Sequence, residues 1–391
     1  MDSILGKDNL LVTKIGRNGD SSSSGKEYLA RYLEEQQNLT AIHKFSQRHS
    51  DITRPLKQRY YRDLLPFVEP GENQQYAFEV DLDLCTGCKS CVSGCSSLNG
   101  LEPEEAWRDV GLLHGGNTSL TTLSSVTTSC HHCLEPACAS GCPVNAYEKN
   151  SATGIVKHLD DQCIGCQYCM LTCPYDVPKF SSTLGIVRKC DMCAGRLEEG
   201  EAPACVQACP TKAISIKVVD TQDAIRAADA GRMVPGAPPS DITFPTTVYK
   251  TTRPNLNSML PADFYTPRKE AKHAPLVGML ITMQMATGVY GLDFLLRWGI
   301  LGDSGKLLAG YSSTVGFAVC LLGLLGSFFH LGRPLYAFRA VVGLGHSWLS
   351  REILTFGLFV GLAGSYSLGL YFQTDWNISD STLDSLNLAV V

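Results

Sequence analysis

The sequence predicts a chain of α+β class in its middle and an all-helical transmembrane segment at its C-terminal end. Three observations predict this. Sixteen of the 17 cysteines lie between Cys85 and Cys209. They fall into four runs that share one closing interval. Three nearly uncharged apolar stretches then occupy the last third of the 391 residues. A chain of this length has room for two or three domains with their own cores. The formal charge of -5 and the lack of a Lys/Arg tract argue against nucleic acid as a partner.

The first expected unit, 1–74, is an N-terminal extension. It should be flexible around "NGDSSSSGK". In the following "EYLARYLEEQQNLTAIHKFSQRH", Leu29, Leu33, Leu39, Ile42 and Phe45 recur near one side at helical spacing, which suits a docking helix with His43 and His49 on its surface. The opening "MDSILGKDNLLVTKIGRNGD" carries charges where a signal peptide needs an unbroken apolar core, and it has no twin arginine.

The second unit, 75–225, holds the cysteine runs. They are Cys85, Cys88, Cys91, Cys95; Cys130, Cys133, Cys138, Cys142; Cys163, Cys166, Cys169, Cys173; and Cys190, Cys193, Cys205, Cys209. Short C-x-x-C spacing favours metal sites over the disulfides of a small secreted scaffold. Each run ends C-x-x-x-C, and Pro143, Pro174 and Pro210 follow the last cysteine of three runs, with Ser96 in the first. In bacterial-type ferredoxins the leading cysteines of a run wrap one [4Fe-4S] cube, and the last, commonly followed by Pro, ligates the cube of the partner run. A double bacterial-ferredoxin-like domain with four [4Fe-4S] clusters follows. Nesting outer run with outer and inner with inner gives four sets: Cys85, Cys88, Cys91 with Cys209; Cys190, Cys193, Cys205 with Cys95; Cys130, Cys133, Cys138 with Cys173; and Cys163, Cys166, Cys169 with Cys142. Zinc is the competing reading, yet a zinc ribbon uses two separated C-x-x-C hooks and gives no role to a further cysteine or to C-x-x-x-C-P. His131 and His132 would be surplus to ligation, as donors around a cluster or as exposed side chains. Arg188, Lys189 and Lys212 could raise cluster potentials or be surface charges. Cubes with four cysteine ligands have no open iron, so one-electron transfer is the expected function.

The third unit, 226–273, carries seven prolines from Pro235 to Pro267, too many for a helix or central strand, and reads as an extended linker. The fourth, 274–391, is expected to be a partial membrane anchor with spans at about 274–296, 307–329 and 350–372, each near the roughly 20 residues that cross a bilayer. No two histidines sit within these spans to bind haem, so no haem is expected and a quinol is the expected lipid-soluble redox partner. Its protons would go to His330 and Glu352, which flank a short connection between spans two and three. Asp293 is read as a rim residue and Cys320 as packing. The basic groups Arg268, Lys269, Lys272 and Arg333, Arg339, Arg351, against Asp375, Asp380 and Asp384, place the cluster domain on the cytoplasmic side by the positive-inside rule, with export beside a twin-arginine partner as the other route.

The motifs "CHHCLEPACASGCP", "DQCIGCQYCMLTCPYDVPK", "RKCDMC" and "PACVQACP" resemble, over about 75–220, the electron-transfer subunit of the dimethyl sulfoxide reductase family of molybdopterin oxidoreductases. Residues 274–372, with "HLGRP" and "SWLSREI", resemble the first part of that family's menaquinol-oxidising anchor in the inner membrane. The resemblance implies a separate molybdopterin-containing catalytic subunit that reduces a small oxidised substrate. It places the family's cluster ligands on the sixteen cysteines, its quinol-site histidine on His330 and its essential acid on Glu352. The family's anchor has more spans than the three visible here, so either the chain is truncated or another polypeptide completes the anchor. The same wire could serve a polysulfide, tetrathionate, nitrate or formate enzyme, even running toward quinone. A soluble cluster scaffold is the remaining class.

Overall fold

The computed structural model describes Glu34 and residues 60–391, apart from 118, 119, 232, 254, 255, 268–272, 301 and 374. Apart from Glu34, the expected docking helix lies outside the described residues, as does the group Arg268, Lys269 and Lys272.

The cysteine-rich part is zipped shut by its own ends. Strand β1 (Gln74–Asp81) runs antiparallel to β8 (Ile214–Asp220), in a register from Gln74 opposite Asp220 to Val80 opposite Ile214. Phe78, Ile214 and Ile216 point from this ladder into a core that also holds Cys91, Cys130, Cys190 and Cys205. Between the two strands come α1 (Ser90–Asn99), the hairpin β2 (Asp109–Asn117) and β3 (Leu120–Thr128), then α2 (Ala137–Gly141) and the hairpin β4 (Tyr147–Lys149) and β5 (Val156–His158). They are followed by α3 (Tyr168–Thr172), the hairpin β6 (Lys179–Ser181) and β7 (Ile186–Arg188), α4 (Ala194–Glu198) and α5 (Ala204–Gln207). The helices pack outer on outer and inner on inner. A Cβ at Gly94 of α1 would lie 2.6 Å from the Cβ of Ala208, which ends α5, and one at Gly141 of α2 would lie 2.9 Å from Thr172 of α3.

The expected break at 225/226 falls inside α6 (Thr221–Asp229), which Asp220 caps by accepting from the Gln222 N–H at 2.8 Å. The Pro-rich stretch beyond is sewn into the domain: β9 (Val248–Lys250) adds parallel to β1, and β10 (Leu260–Pro261) adds antiparallel to β2. Both are short edge strands, the positions where a chain poor in N–H donors can still pair.

Helix α7 (Ala274–Leu295) continues as a π-helical turn at Leu296–Ile300. After it come α8 (Gly302–Phe328), a 3-10 stretch at Pro334–Val341, α9 (Trp348–Tyr371) and α10 (Asp380–Val390). Three segments are long and apolar enough to cross a membrane, Ala274–Trp298, Gly310–Phe328 and Trp348–Tyr371, and the chain is a multi-pass protein of the inner membrane. The helices meet over Met283, Ala286, Tyr290, Cys320, Ala363 and Tyr366, which places Cys320 in packing. Asp293 is not at a solvated rim. It is fully buried and accepts hydrogen bonds from Tyr366 Oη at 2.6 Å, from Asn387 Nδ2 at 3.1 Å and from Ser312. It therefore ties α10 to the bundle, helped by Arg297, whose Nε lies 2.5 Å from Asp384 Oδ1.

Candidate metal centres

In each run the residue two places after the first cysteine has a left-handed backbone: Gly87 at φ 71°, His132 at 42°, Gly165 at 68° and Met192 at 60°. That turn curls the hook so that its sulfurs face inward. The last cysteine of a run follows a second rule. Pro143, Pro174 and Pro210 end their helices, because proline cannot continue one. Two places after each proline stands a left-handed residue, Asn145, Asp176 or Lys212. The backbone N–H of the residue after it then faces the sulfur, from Ala146 to Cys142 at 3.3 Å, from Ala213 to Cys209 at 3.2 Å and from Val177 to Cys173. Ser96 breaks this pattern, and α1 runs on through Cys95 to Asn99. There the side chain of Asn99, also four places on, supplies the donor at 3.5 Å from Cys95 Sγ.

The structure brings the cysteines together across runs. One cavity is lined by Cys85, Cys88, Cys91 and Cys209, a second by Cys130, Cys133, Cys138 and Cys173, and a third by Cys142, Cys163, Cys166 and Cys169. Cys95 has Cys205 and Cys193 beside it, and Cys190 has Cys205 and Cys95. Among the described residues no three His, Cys, Asp or Glu side chains converge on a point that would hold a single metal ion. All 17 cysteines are free of disulfide bonds. Burial pushes the Cys95, Cys133 and Cys166 thiols up to about 12. Such thiols become thiolates only with compensating positive charge, which the irons of a cube would supply. The donor set fits that group.

His131 and His132 are buried, 4 % and 1 % exposed, which removes the exposed-side-chain alternative. His132 Nδ1 accepts from the Val156 N–H at 3.1 Å, and His131 Nδ1 lies 2.9 Å from Thr247 Oγ1. Arg188 is paired with Glu105, so its charge is matched. Lys189 is no surface charge: it is 2 % exposed. Between the second and third cavities Tyr147 lies against Cys169, with Cys138 and Cys142 close by. Sequence reasoning passed over Tyr147, and it passed over the buried Arg108 because nothing in its local pattern marks an inward arginine.

The connection between α8 and α9 docks on the third cavity. Gly332 N donates to Gly165 O at 3.3 Å, Arg333 N to Ile164 O at 3.0 Å and Gly343 N to Pro143 O at 2.8 Å. Side chains follow the same path: Arg333 Nη1 reaches Asp160 O at 2.8 Å, Arg339 Nη1 reaches Asp161 O at 3.0 Å, and His346 Nε2 sits 3.0 Å from Cys142 O. Half-buried His330 lies beside the backbone of Cys166. Burial holds its imidazole below the ordinary value, and His273, at a ring-centroid distance of 5.2 Å, adds to this. His273 was not singled out from the sequence, although its place just before the first span was a usable signal. Glu352, near the N-terminal end of α9, is exposed. No hydrogen bond or ion pair joins it to His330 among the described residues.

A family model described as "4Fe-4S dicluster domain" matches residues 121–219, and one described as "DMSO reductase anchor subunit (DmsC)" matches 271–375. The protein is 35% identical over 199 residues to the B subunit of the anaerobic dimethyl sulfoxide reductase of Haemophilus influenzae, covering 49% of this chain and 94% of the relative. It is 35% identical over 192 residues to the subunit of that name from Escherichia coli K12, covering 47% and 91%. To the hydrogenase-2 operon protein HybA of Escherichia coli O157:H7 it is 31% identical over 197 residues, covering 44% and 59%.

Proposed function

The chain belongs to the family of iron-sulfur electron-transfer subunits of dimethyl sulfoxide reductase type, here fused to a DmsC-like membrane anchor, and from that premise we propose that it carries electrons from menaquinol to a separate molybdopterin-containing catalytic subunit. Its general role is that of an electron-transfer and membrane-anchor subunit of a molybdopterin oxidoreductase complex and not of the substrate-reducing subunit. The finer reading is four [4Fe-4S] clusters held by the cross-run quartets. When bound, the clusters supply one-electron transfer.

The observation that carries the reading is the contact of His330 with the backbone of Cys166. It sets the proposed quinol residue against a proposed ligand of the third quartet. Below its ordinary basicity, the His330 imidazole is neutral near pH 7 and free to accept a proton as quinol gives up its electrons. Glu352, at the same rim, would pass protons onward. From the third quartet the neighbouring groups suggest one order: past Tyr147 to the second, past Lys189 to the fourth, and past Arg108 to the first, whose Cys88 is exposed and would be open to the catalytic subunit.

The cytoplasmic side is the proposed location of the clusters, since Arg333 and Arg339 stand on the same face as the cluster domain while Asp375, Asp380 and Asp384 follow the far end of α9. The relatives named for dimethyl sulfoxide reductase favour that substrate class; the hydrogenase-operon relative bears a different enzyme name, and copurification of the catalytic subunit decides between them. Stopped-flow oxidation of a reduced menaquinol analogue by the membrane-bound complex tests the quinol site. H330A and E352A should keep dithionite-reducible clusters and lose quinol-driven reduction. Wild-type quinol rates in both would overturn the assignment.

A further inference from the structure

Two cations are buried without a carboxylate partner among the described residues, and each lies between cysteine quartets. Arg108 is 2 % exposed. Its Nη1 donates to Thr127 Oγ1 at 3.1 Å, its Nη2 donates to Ser129 Oγ at 2.8 Å, and its Cζ stands 4.6 Å from the centroid of the Phe78 ring. Thr127 Oγ1 is in turn 3.5 Å from Cys91 Sγ of the first quartet. The other ionisable groups nearest Arg108 are Cys205 and Cys190 of the fourth quartet. Lys189 Nζ donates to Val156 O at 2.5 Å and to Cys190 O at 2.8 Å, and it lies 3.6 Å from Cys130 Sγ. Cys138 of the second quartet is also near. Burying a cation is unfavourable unless negative charge compensates it. Among the described residues the only anions within reach are the thiolates and the clusters they would hold.

We propose that Lys189 and Arg108 are potential-setting residues: two fixed positive charges that raise the reduction potentials of the clusters on either side of them. The inference rests on the four-cluster reading above. A cube with four thiolate ligands is net negative, and reduction makes it more so by one charge. A buried cation stabilises that extra charge. With clusters bound, transfer would make and break no bond, one cluster being oxidised as the next is reduced, and Lys189 and Arg108 would keep their protons throughout. The fourth quartet faces both cations, whereas the gap between the third and second holds neutral Tyr147. Electrons taken at the rim would therefore be drawn away from the membrane, toward the fourth quartet, before reaching the first.

The test is an EPR-monitored redox titration of the membrane-bound complex, with iron and sulfide measured on each preparation. In K189M two of the four cluster midpoints should fall, so that the reduced-to-oxidised ratio at a fixed potential drops by about tenfold or more, while the other two hold. R108M should lower a different pair, and the one cluster shifted in both variants is the fourth. K189R keeps the charge and should keep the wild-type midpoints. Unshifted midpoints in K189M and R108M at full iron content would overturn the proposal. So would loss of iron in K189M that K189R shares, which makes the residue one of assembly. Wild-type protein with fewer than four clusters would instead remove the reading on which the inference rests.

Discussion

Replacing Gly332 by alanine should uncouple the membrane from the clusters while leaving both intact. A Cβ at this position would lie 2.1 Å from Gly185 O, 2.6 Å from its carbonyl carbon and 2.9 Å from its Cα, against the about 3.5 Å at which such atoms normally meet. All three neighbours are backbone, and Gly185 is itself held at φ 66° with Gly165 close behind it. No side chain can rotate aside, so the "HLGRP" loop must lift. Overpacking of this kind costs about 1–3 kcal/mol. The lift also strains the bonds from Gly332 N to Gly165 O and from Arg333 N to Ile164 O, each contributing about 1 kcal/mol. A junction weakened by about 3–5 kcal/mol spends much of its time open, and His330 moves away from Cys166. The assay is quinol-driven cluster reduction against dithionite reduction in the same membranes. G332A should show full dithionite reduction and a quinol rate lowered at least about tenfold. G345A is the control, because an added Cβ there meets nothing within 4 Å. A G332A protein with the wild-type quinol rate would refute the reasoning.

Iron and acid-labile sulfide should each approach about 16 per chain in anaerobic preparations; stoichiometric zinc in a spectroscopically silent sample would count against it. S96P restores the ferredoxin pattern yet should destabilise the protein by about 3 kcal/mol or more, because α1 continues through this position; an unchanged melting temperature would contradict that. D293L strands the donors of Tyr366, Asn387 and Ser312 at about 1–3 kcal/mol each, so the detergent-purified protein should melt earlier with its quinol rate per intact cluster retained. Right-side-out spheroplasts should protect residues 75–225 from protease and inverted vesicles should expose them, with the opposite pattern placing the clusters outside.

Much of the candidate site was legible because metal ligation writes itself into local spacing. The closing C-x-x-x-C interval is a property of one short segment, and the cross-run grouping it suggests is the one by which cysteines line three cavities. The Ser96 departure was legible as an exception, but its consequence was not. That a serine lets α1 continue to Asn99, and that Asn99 then takes over the donor role, is settled by packing against α5. Asp293, Arg108 and Lys189 failed for a related reason. Whether a charge is buried depends on partners far away in sequence, Asn387 for Asp293 and Ser129 and Val156 for the cations, and no periodicity encodes such pairs. The Pro-rich stretch shows the limit of propensity: it excluded a central strand correctly, yet could not reveal that β9 and β10 find edges on β1 and β2.

Fusion changes what the junction between wire and membrane has to supply. The reductase-subunit relatives account for about half of this chain, and the anchor family model covers a separate stretch after it. Two parts that meet as separate chains must hold one another by affinity. Joined by the stretch that carries β9 and β10, they stay at an effective concentration in the millimolar range. The contacts at 330–350 can then serve orientation. They are suited to it, being mostly bonds to backbone carbonyls of Gly165, Ile164, Pro143, Asp160 and Asp161, with two glycines in van der Waals contact in place of a broad apolar patch. Backbone bonds fix register closely and add little net free energy each. An interface built that way positions His330 beside Cys166 and tolerates no added methyl at Gly332.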